Sequence, residues 1–225
     1  MSDLSLRLAE VDSRISARLA ANSREPESLT RVVVSKFHSS QLVRDLFELG
    51  VRDFGENRDQ EAAAKALEVQ ELPISWHFIG QLQTNKVKSV LTYASFIHSL
   101  DRPSLLDALI KQTAERENPL GVFVQVNLTE DLGRGGVNPE DLLAFADSVA
   151  AAPGLQLLGV MAVASLDGEE ERDFAAVAAL SGKLRAKYPQ ADRISAGMSN
   201  DFELAIDYGA THLRIGTAIT GNREY

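Results

Sequence analysis

Eight short runs rich in β-branched and aromatic residues recur along this chain, at 31–35, 52–54, 76–79, 95–99, 121–127, 157–163, 192–196 and 211–216. Between them lie segments with apolar residues at i, i+3, i+4 spacing, among them QLVRDLFELG, TNKVKSVLTY, DRPSLLDALIKQTAE, PEDLLAFADSVAAA, EERDFAAVAALSGKLRAKY and SNDFELAIDYG, which read as helices. Gly50 and Gly209 follow the last apolar turn of their helices, and Pro139 with Glu140 and Asp141 is expected to open another after Asn138. Strict alternation of strand and helix calls for right-handed crossovers between parallel strands. Eight repeats within 225 residues match an α/β fold of the (β/α)8 TIM type, a single domain over residues 1–225 with an extra N-terminal helix. The competing open doubly wound sheet usually carries a glycine-rich turn after its first strand, and here that turn reads SKFHSS.

Composition narrows the function. A formal charge of −9 repels phosphate backbones and anionic membrane surfaces, so neither nucleic acid nor a membrane is an expected partner. The absence of cysteine removes disulfides, zinc-thiolate sites and thiol nucleophiles, and a reducing, cytoplasmic location fits. The longest apolar stretch, 157–164, falls far short of the ~20 residues that span a bilayer. The opening MSDLSLRLAEVDSR lacks the apolar run of a signal peptide, and the mature chain is expected to start there.

In such a barrel the chemistry gathers at the carboxyl ends of the strands, which makes Lys36, Glu56, Asn57, His77, Gln81, Asn127, Met161, the 195–201 segment SAGMSND and the 214–218 segment RIGTA candidates. Lys36 continues the alternation Val32, Val34, Lys36; it is either a snorkelling strand-end lysine or a Schiff-base amine. SAGMSND and RIGTAITG follow the last two strands, where barrels of this kind commonly hold phosphate on loop amides. Ser199 or Asn200 can cap the helix containing Glu203, while Gly197, Gly216 and Thr217 allow a ligand to approach the backbone. Arg214 shares a strand face with His212 and Gly216, so it needs either a ligand or an internal carboxylate. His77, between Trp76 and Phe78, reads first as a hydrogen-bonded core residue, and the four histidines lack metal-ligand spacing, so no metal site is expected. A strand-end lysine, a phosphate cradle and an inward arginine together suggest a phosphorylated carbonyl cofactor.

The strings VVVSK, FGENRDQE, WHFIGQLQTNKVK, IHSLDR, VFVQVNLTEDLGRGGV, LLGVMAV and SAGMSNDFELAIDYGATHLRIGTAITG, running nearly end to end, resemble the pyridoxal phosphate homeostasis proteins. These are small cofactor-binding proteins with a fold like the barrel domain of alanine racemase. The match departs where FHSS follows Lys36 and where Ala196 replaces the more usual methionine. The resemblance implies pyridoxal 5'-phosphate held as an aldimine of Lys36, its phosphate on Ser199, Gly216 and Thr217, Arg214 facing the pyridine nitrogen, and Asn57 and His77 lining the pocket. An arginine there weakens the ring as an electron sink. A racemase would also need a second proton donor, and the four tyrosines offer none: Tyr93, Tyr188 and Tyr208 fall in expected helices and Tyr225 ends the sequence. The expectation is therefore a monomer or weak dimer that holds and supplies vitamin B6 cofactor to apo-forms of pyridoxal-phosphate enzymes, without robust catalysis. The alternatives are a weakly active amino-acid enzyme of the alanine racemase fold and a barrel aldolase using Lys36 on a phosphosugar.

Overall fold

A computed structural model describes residues 2–129, 131, 133–165 and 168–221. Helix α1 (Asp3–Ala21) precedes β1 (Thr30–Val34), α2 (Ser40–Glu48), β2 (Asp53–Glu56), α3 (Asp59–Glu68), β3 (Ser75–Phe78), α4 (Val87–Val90) and β4 (Ala94–Leu100). Then come α5 (Pro103–Thr113), β5 (Leu120–Gln125), α6 (Leu142–Ala150), β6 (Leu155–Met161), α7 (Glu170–Lys187), β7 (Arg193–Ser195), α8 (Phe202–Asp207), β8 (His212–Ile215) and α9 (Thr217–Thr220). The strands pair in chain order, all parallel, and β8 closes on β1 through Thr30 to Val33 against His212 to Ile215. The expected barrel and its leading helix are both present.

All eight expected strands form, whereas two helical expectations need correction and one further helix appears. Pro139, Glu140 and Asp141 make a turn, and α6 starts only at Leu142 with Asp141 at its cap. TNKVKSVLTY gives a single 3₁₀ turn over Thr84–Lys86 and the four-residue α4. The alanine-rich DQEAAAKALE, not among the expected helices, forms α3. Gly50 and Gly209 do end their helices in the left-handed region, at φ 93° and 86°, where glycine escapes the Cβ penalty. Tyr93, Tyr188 and Tyr208 sit just beyond helix ends, and Tyr225 lies outside the described residues.

Leu8, Val11, Ile15 and Leu19 give α1 one apolar stripe, and the helix packs against α8 and α9. Arg14 holds Glu203 at 2.5 Å across that contact, and Arg18 pairs with Asp207. The main core lies between sheet and helices, where Val33, Phe54, Phe78, Leu213 and Ile215 point outward from the strands. Alternation sends the opposite set inward: Val32 and Val34, His77, Phe96 and His98, Phe123, Ser195, then His212 and Arg214. Such interiors are ordinarily filled by branched aliphatic residues. This one holds three histidines, a serine and an arginine among a few apolar side chains.

Candidate functional site

The carboxyl ends of β1, β7 and β8 open on a cavity of about 800 Å³ lined by Val34, Lys36, Ile79, Ala164, Ser165, Met198, Ser199, Arg214, Gly216 and Thr217. Five of the seven residues that the family resemblance implies for the cofactor, all but Asn57 and His77, therefore share one site. Lys36 is exposed, one residue past the buried Ser35, and its stem follows Val32 and Val34 to the cavity as the alternation requires. Beneath it lies a buried ion pair. Lys65 of α3 reaches Glu56 Oε1 at 2.5 Å and the Ser35 carbonyl at 2.8 Å, while the Ser35 hydroxyl donates to the same Glu56 oxygen at 2.7 Å. The backbone that carries Lys36 is thus anchored from below. Sequence reasoning passed over Lys65, although Ala62, Lys65, Ala66 and Val69 share one helical stripe and all are buried.

Across the cavity, the β7 and β8 loops meet. Gly197 takes φ 91°, and a Cβ there would stand 2.7 Å from Ala205 Cβ, so the turn into α8 requires glycine. Asp201, rather than Ser199 or Asn200, occupies the cap position of α8 and accepts from the Met198 N–H at 2.5 Å. Ser199 turns instead toward the β8 loop, where its Oγ accepts from the Gly216 and Ala218 N–H groups, each at 3.2 Å. Two backbone donors converging on one oxygen form a cradle that a phosphoryl oxygen matches in kind. Thr217, exposed at the start of α9, completes the rim.

Arg214 is almost fully buried, 4% exposed. Its Nη1 donates to Ser195 Oγ at 2.6 Å and its Nη2 to the Ala162 carbonyl at 2.9 Å. Among the described residues no carboxylate forms an ion pair with it, so the internal salt bridge weighed from the sequence is not what holds it. Burial lowers its pKa to about 10, against which the more distant Asp201 charge acts. A buried guanidinium satisfied only by neutral acceptors and facing a cavity retains donor capacity for an electron-rich ligand atom.

The fold sets His77 and Asn57 apart from this group. His77 lies inside the barrel, 1% exposed, stacked on Phe96 with ring centroids 4.4 Å apart and bonded to His98 and Asp53. Asn57 lines a neighbouring cavity with Arg58, Gln81 and Lys86, and its Oδ1 is buried without a hydrogen-bond partner among the described residues. Asn127 organises its own loop, accepting from the Thr129 N–H at 3.0 Å, and Met161 packs into the barrel interior. No metal-ligating cluster exists among the described residues.

The model of the alanine racemase N-terminal domain family matches residues 19–224. The pyridoxal phosphate homeostasis protein of Pseudomonas aeruginosa is 39% identical over 225 residues, covering 100% of this chain and 98% of that protein. The chain belongs to the pyridoxal phosphate homeostasis protein family. Its Escherichia coli relative is 37% identical over 231 residues, covering 100% of this chain and 99% of the relative. Among solved structures, PipY of Synechococcus elongatus with PLP bound superposes at a TM-score of 0.84 with 33% identity, covering 97% of this chain and 100% of that one. Alanine racemase from Corynebacterium glutamicum shares the fold, with a TM-score of 0.67 at 15% identity over 88% of this chain and 57% of the racemase. No helix among the described residues is long and apolar enough to cross a membrane.

Proposed function

We propose that this chain binds pyridoxal 5'-phosphate on Lys36 and serves as a carrier that holds the cofactor and supplies it to apo-enzymes. The observation that carries the reading is the convergence on one cavity of Lys36, the Ser199–Gly216 cradle and the buried Arg214. The donor set fits the group: an amine for the aldehyde, N–H donors for phosphate, and a guanidinium without a carboxylate for the ring nitrogen. When bound, the cofactor supplies an aldehyde that Nζ condenses with, forming a C=N bond and releasing water. The family relationship and the PLP-bound PipY structure support the same cofactor.

The protein's own groups favour holding over turnover. An arginine at the ring nitrogen disfavours protonation there, which restrains carbanion chemistry. The three described tyrosines are engaged away from the cavity: Tyr93 with Asp59, Tyr188 with Asp147 and Tyr208 with Glu171. Ser199, Gly216 and Thr217 orient the phosphate end, and Ile79 and Val34 give the cavity an apolar wall.

The test is mass spectrometry of the chain purified without added cofactor and reduced with borohydride. A pyridoxyl mass on Lys36 is expected. A sugar adduct would instead support the aldolase alternative, and a pyridoxyl group on another lysine would remove Lys36 from the assignment. Lys36-dependent loss of α-deuterium from an amino acid would move the reading from carrier to enzyme.

A further inference from the structure

Resting on the placement of Arg214 at the cofactor's ring nitrogen, the geometry points to one further assignment: Ser195, His98 and His77 are positioning residues that lock the Arg214 guanidinium, and Asp53, at the opposite end of the barrel, is the acceptor that fixes the far end of their chain. The contacts form an unbroken chain. Arg214 Nη1 meets Ser195 Oγ at 2.6 Å, Ser195 Oγ meets His98 Nδ1 at 2.7 Å, His98 Nε2 meets His77 Nδ1 at 2.9 Å, and His77 Nε2 meets Asp53 Oδ1 at 3.0 Å. The first four groups are buried, while Asp53 opens β2 at the amino end of the barrel with its side chain 31% exposed.

Donor and acceptor rules give the chain one direction. Arginine can only donate, so Ser195 accepts from it; with neutral imidazoles the acceptor-only carboxylate at the far end sets the remaining links, and the Ser195 hydroxyl turns its own hydrogen toward His98 Nδ1. His98 then carries its hydrogen on Nε2 and donates to His77 Nδ1. His77 in turn donates from Nε2 to the Asp53 carboxylate, which can only accept. Every link is satisfied with both imidazoles neutral, and the hydrogen positions follow from this bonding logic. Burial acts the same way, pushing both histidines below the ordinary imidazole range, His98 well below.

The groups facing the chain reinforce that state. His212 lies 6.1 Å from the His98 ring and 6.3 Å from His77, the Asp53 charge acts on the buried Arg31, and Arg193 and Arg214 both disfavour a charged His212. A proton added to His77 would turn its Nδ1 into a donor, force His98 to the Nδ1–H tautomer so that Ser195 no longer donates to it, and place a second cation in an interior that already holds Arg214. The chain therefore does two things that packing alone would not. It fixes the arginine's rotamer through Ser195, and it aligns successive bond dipoles from the guanidinium toward a carboxylate that never contacts it.

The experiment uses the full chain in two states. In the cofactor-free protein, long-range nitrogen–proton NMR should find His77 and His98 both as neutral Nε2–H tautomers; an imidazolium or an Nδ1–H tautomer at either overturns the chain. With pyridoxal phosphate labelled with nitrogen-15 in the ring, Ser195→Ala and His98→Phe should each shift the ring-nitrogen resonance and weaken uptake roughly five- to tenfold. His98→Gln, which keeps an acceptor and a donor, should restore both readouts to within about threefold of the parent. Asp53→Asn should move the ring resonance in the same direction as Ser195→Ala. If His98→Phe fails to fold, Ser195→Ala and Asp53→Asn carry the test. Parent uptake with variants that leave resonance and affinity unchanged overturns the relay alone; a parent that takes up no cofactor overturns the ligand reading and, with it, the role given to Arg214.

Discussion

Replacing Lys65 with methionine probes the anchor beneath Lys36. The Lys65 and Glu56 side chains are 6% and 1% exposed, and Nζ is the only cation bonded to that carboxylate among the described residues. Glu56 Oε2 already lacks a partner, so the variant would leave one buried carboxylate with the Ser35 hydroxyl as its sole donor. Breaking a buried pair from one side costs about 3–5 kcal/mol, because the surviving charge keeps its desolvation penalty. For a domain of this length each kcal/mol lowers the midpoint by about 2–4 °C, so Lys65→Met should lose about 6–20 °C. Removing both charges in Lys65→Met/Glu56→Leu should recover most of that loss, since an apolar pair of similar volume is often neutral or better. Thermal unfolding followed by circular dichroism, repeated in urea at 25 °C, measures both. A single variant within about 1 kcal/mol of the parent, or a double variant as unstable as the summed singles, would refute the reasoning. Cofactor uptake should fall in Lys65→Met, because the Ser35 carbonyl next to Lys36 loses its tether.

Three further outcomes follow from the geometry. Lys36→Ala should abolish the visible band of the cofactor-loaded protein with little change in midpoint, since the exposed side chain contributes little packing; absorbance and calorimetry on one sample check both. Gly197→Ala should destabilise by more than about 1 kcal/mol in urea titrations, because φ 91° and a Cβ 2.7 Å from Ala205 penalise it twice. Burial, joined by the charges of Arg193 and Arg214, lowers the His212 pKa from 6.5 to about 3. The unfolded chain therefore binds the proton more readily, and His212's contribution is complete above pH 6.5 and lost as pH falls toward 3. His212→Gln should consequently lose about 2–3 kcal/mol less than the parent between pH 7 and 4.5, and equal losses would contradict the assignment.

What the sequence makes legible follows the range of the interactions involved. A strand's period of two is local, so Val32, Val34 and Lys36 declare a shared face, and Arg214 declares its kinship with His212, without knowledge of any partner. Glycine signals are equally local, and Gly50 and Gly209 end their helices as read. Helix α3 escaped because alanine gives a weak apolar contrast, and with it went Lys65, whose burial depends on contacts to Ser35 and Glu56 rather than on its neighbours in sequence. The Asp201 cap was missed for a similar reason: several cap-forming residues stand in a row in SNDFE, and only the path of the Gly197 turn selects among them.

The same logic explains why Arg214 could be placed but not explained from sequence. Its face was local information, whereas its acceptors are Ser195, 19 residues away, and the Ala162 carbonyl, 52 residues away. The next link, from Ser195 to His98, spans 97 residues and exists only because the barrel closes. With 32 acidic residues in the chain, an ion pair was a reasonable expectation for an inward arginine. The interior instead satisfies it with neutral groups, which leaves the guanidinium's charge directed at the cavity rather than cancelled beside it. A directly paired arginine would be a weaker donor to any ligand, so satisfying Arg214 with the Ser195 hydroxyl and the Ala162 carbonyl preserves its binding strength toward the cavity.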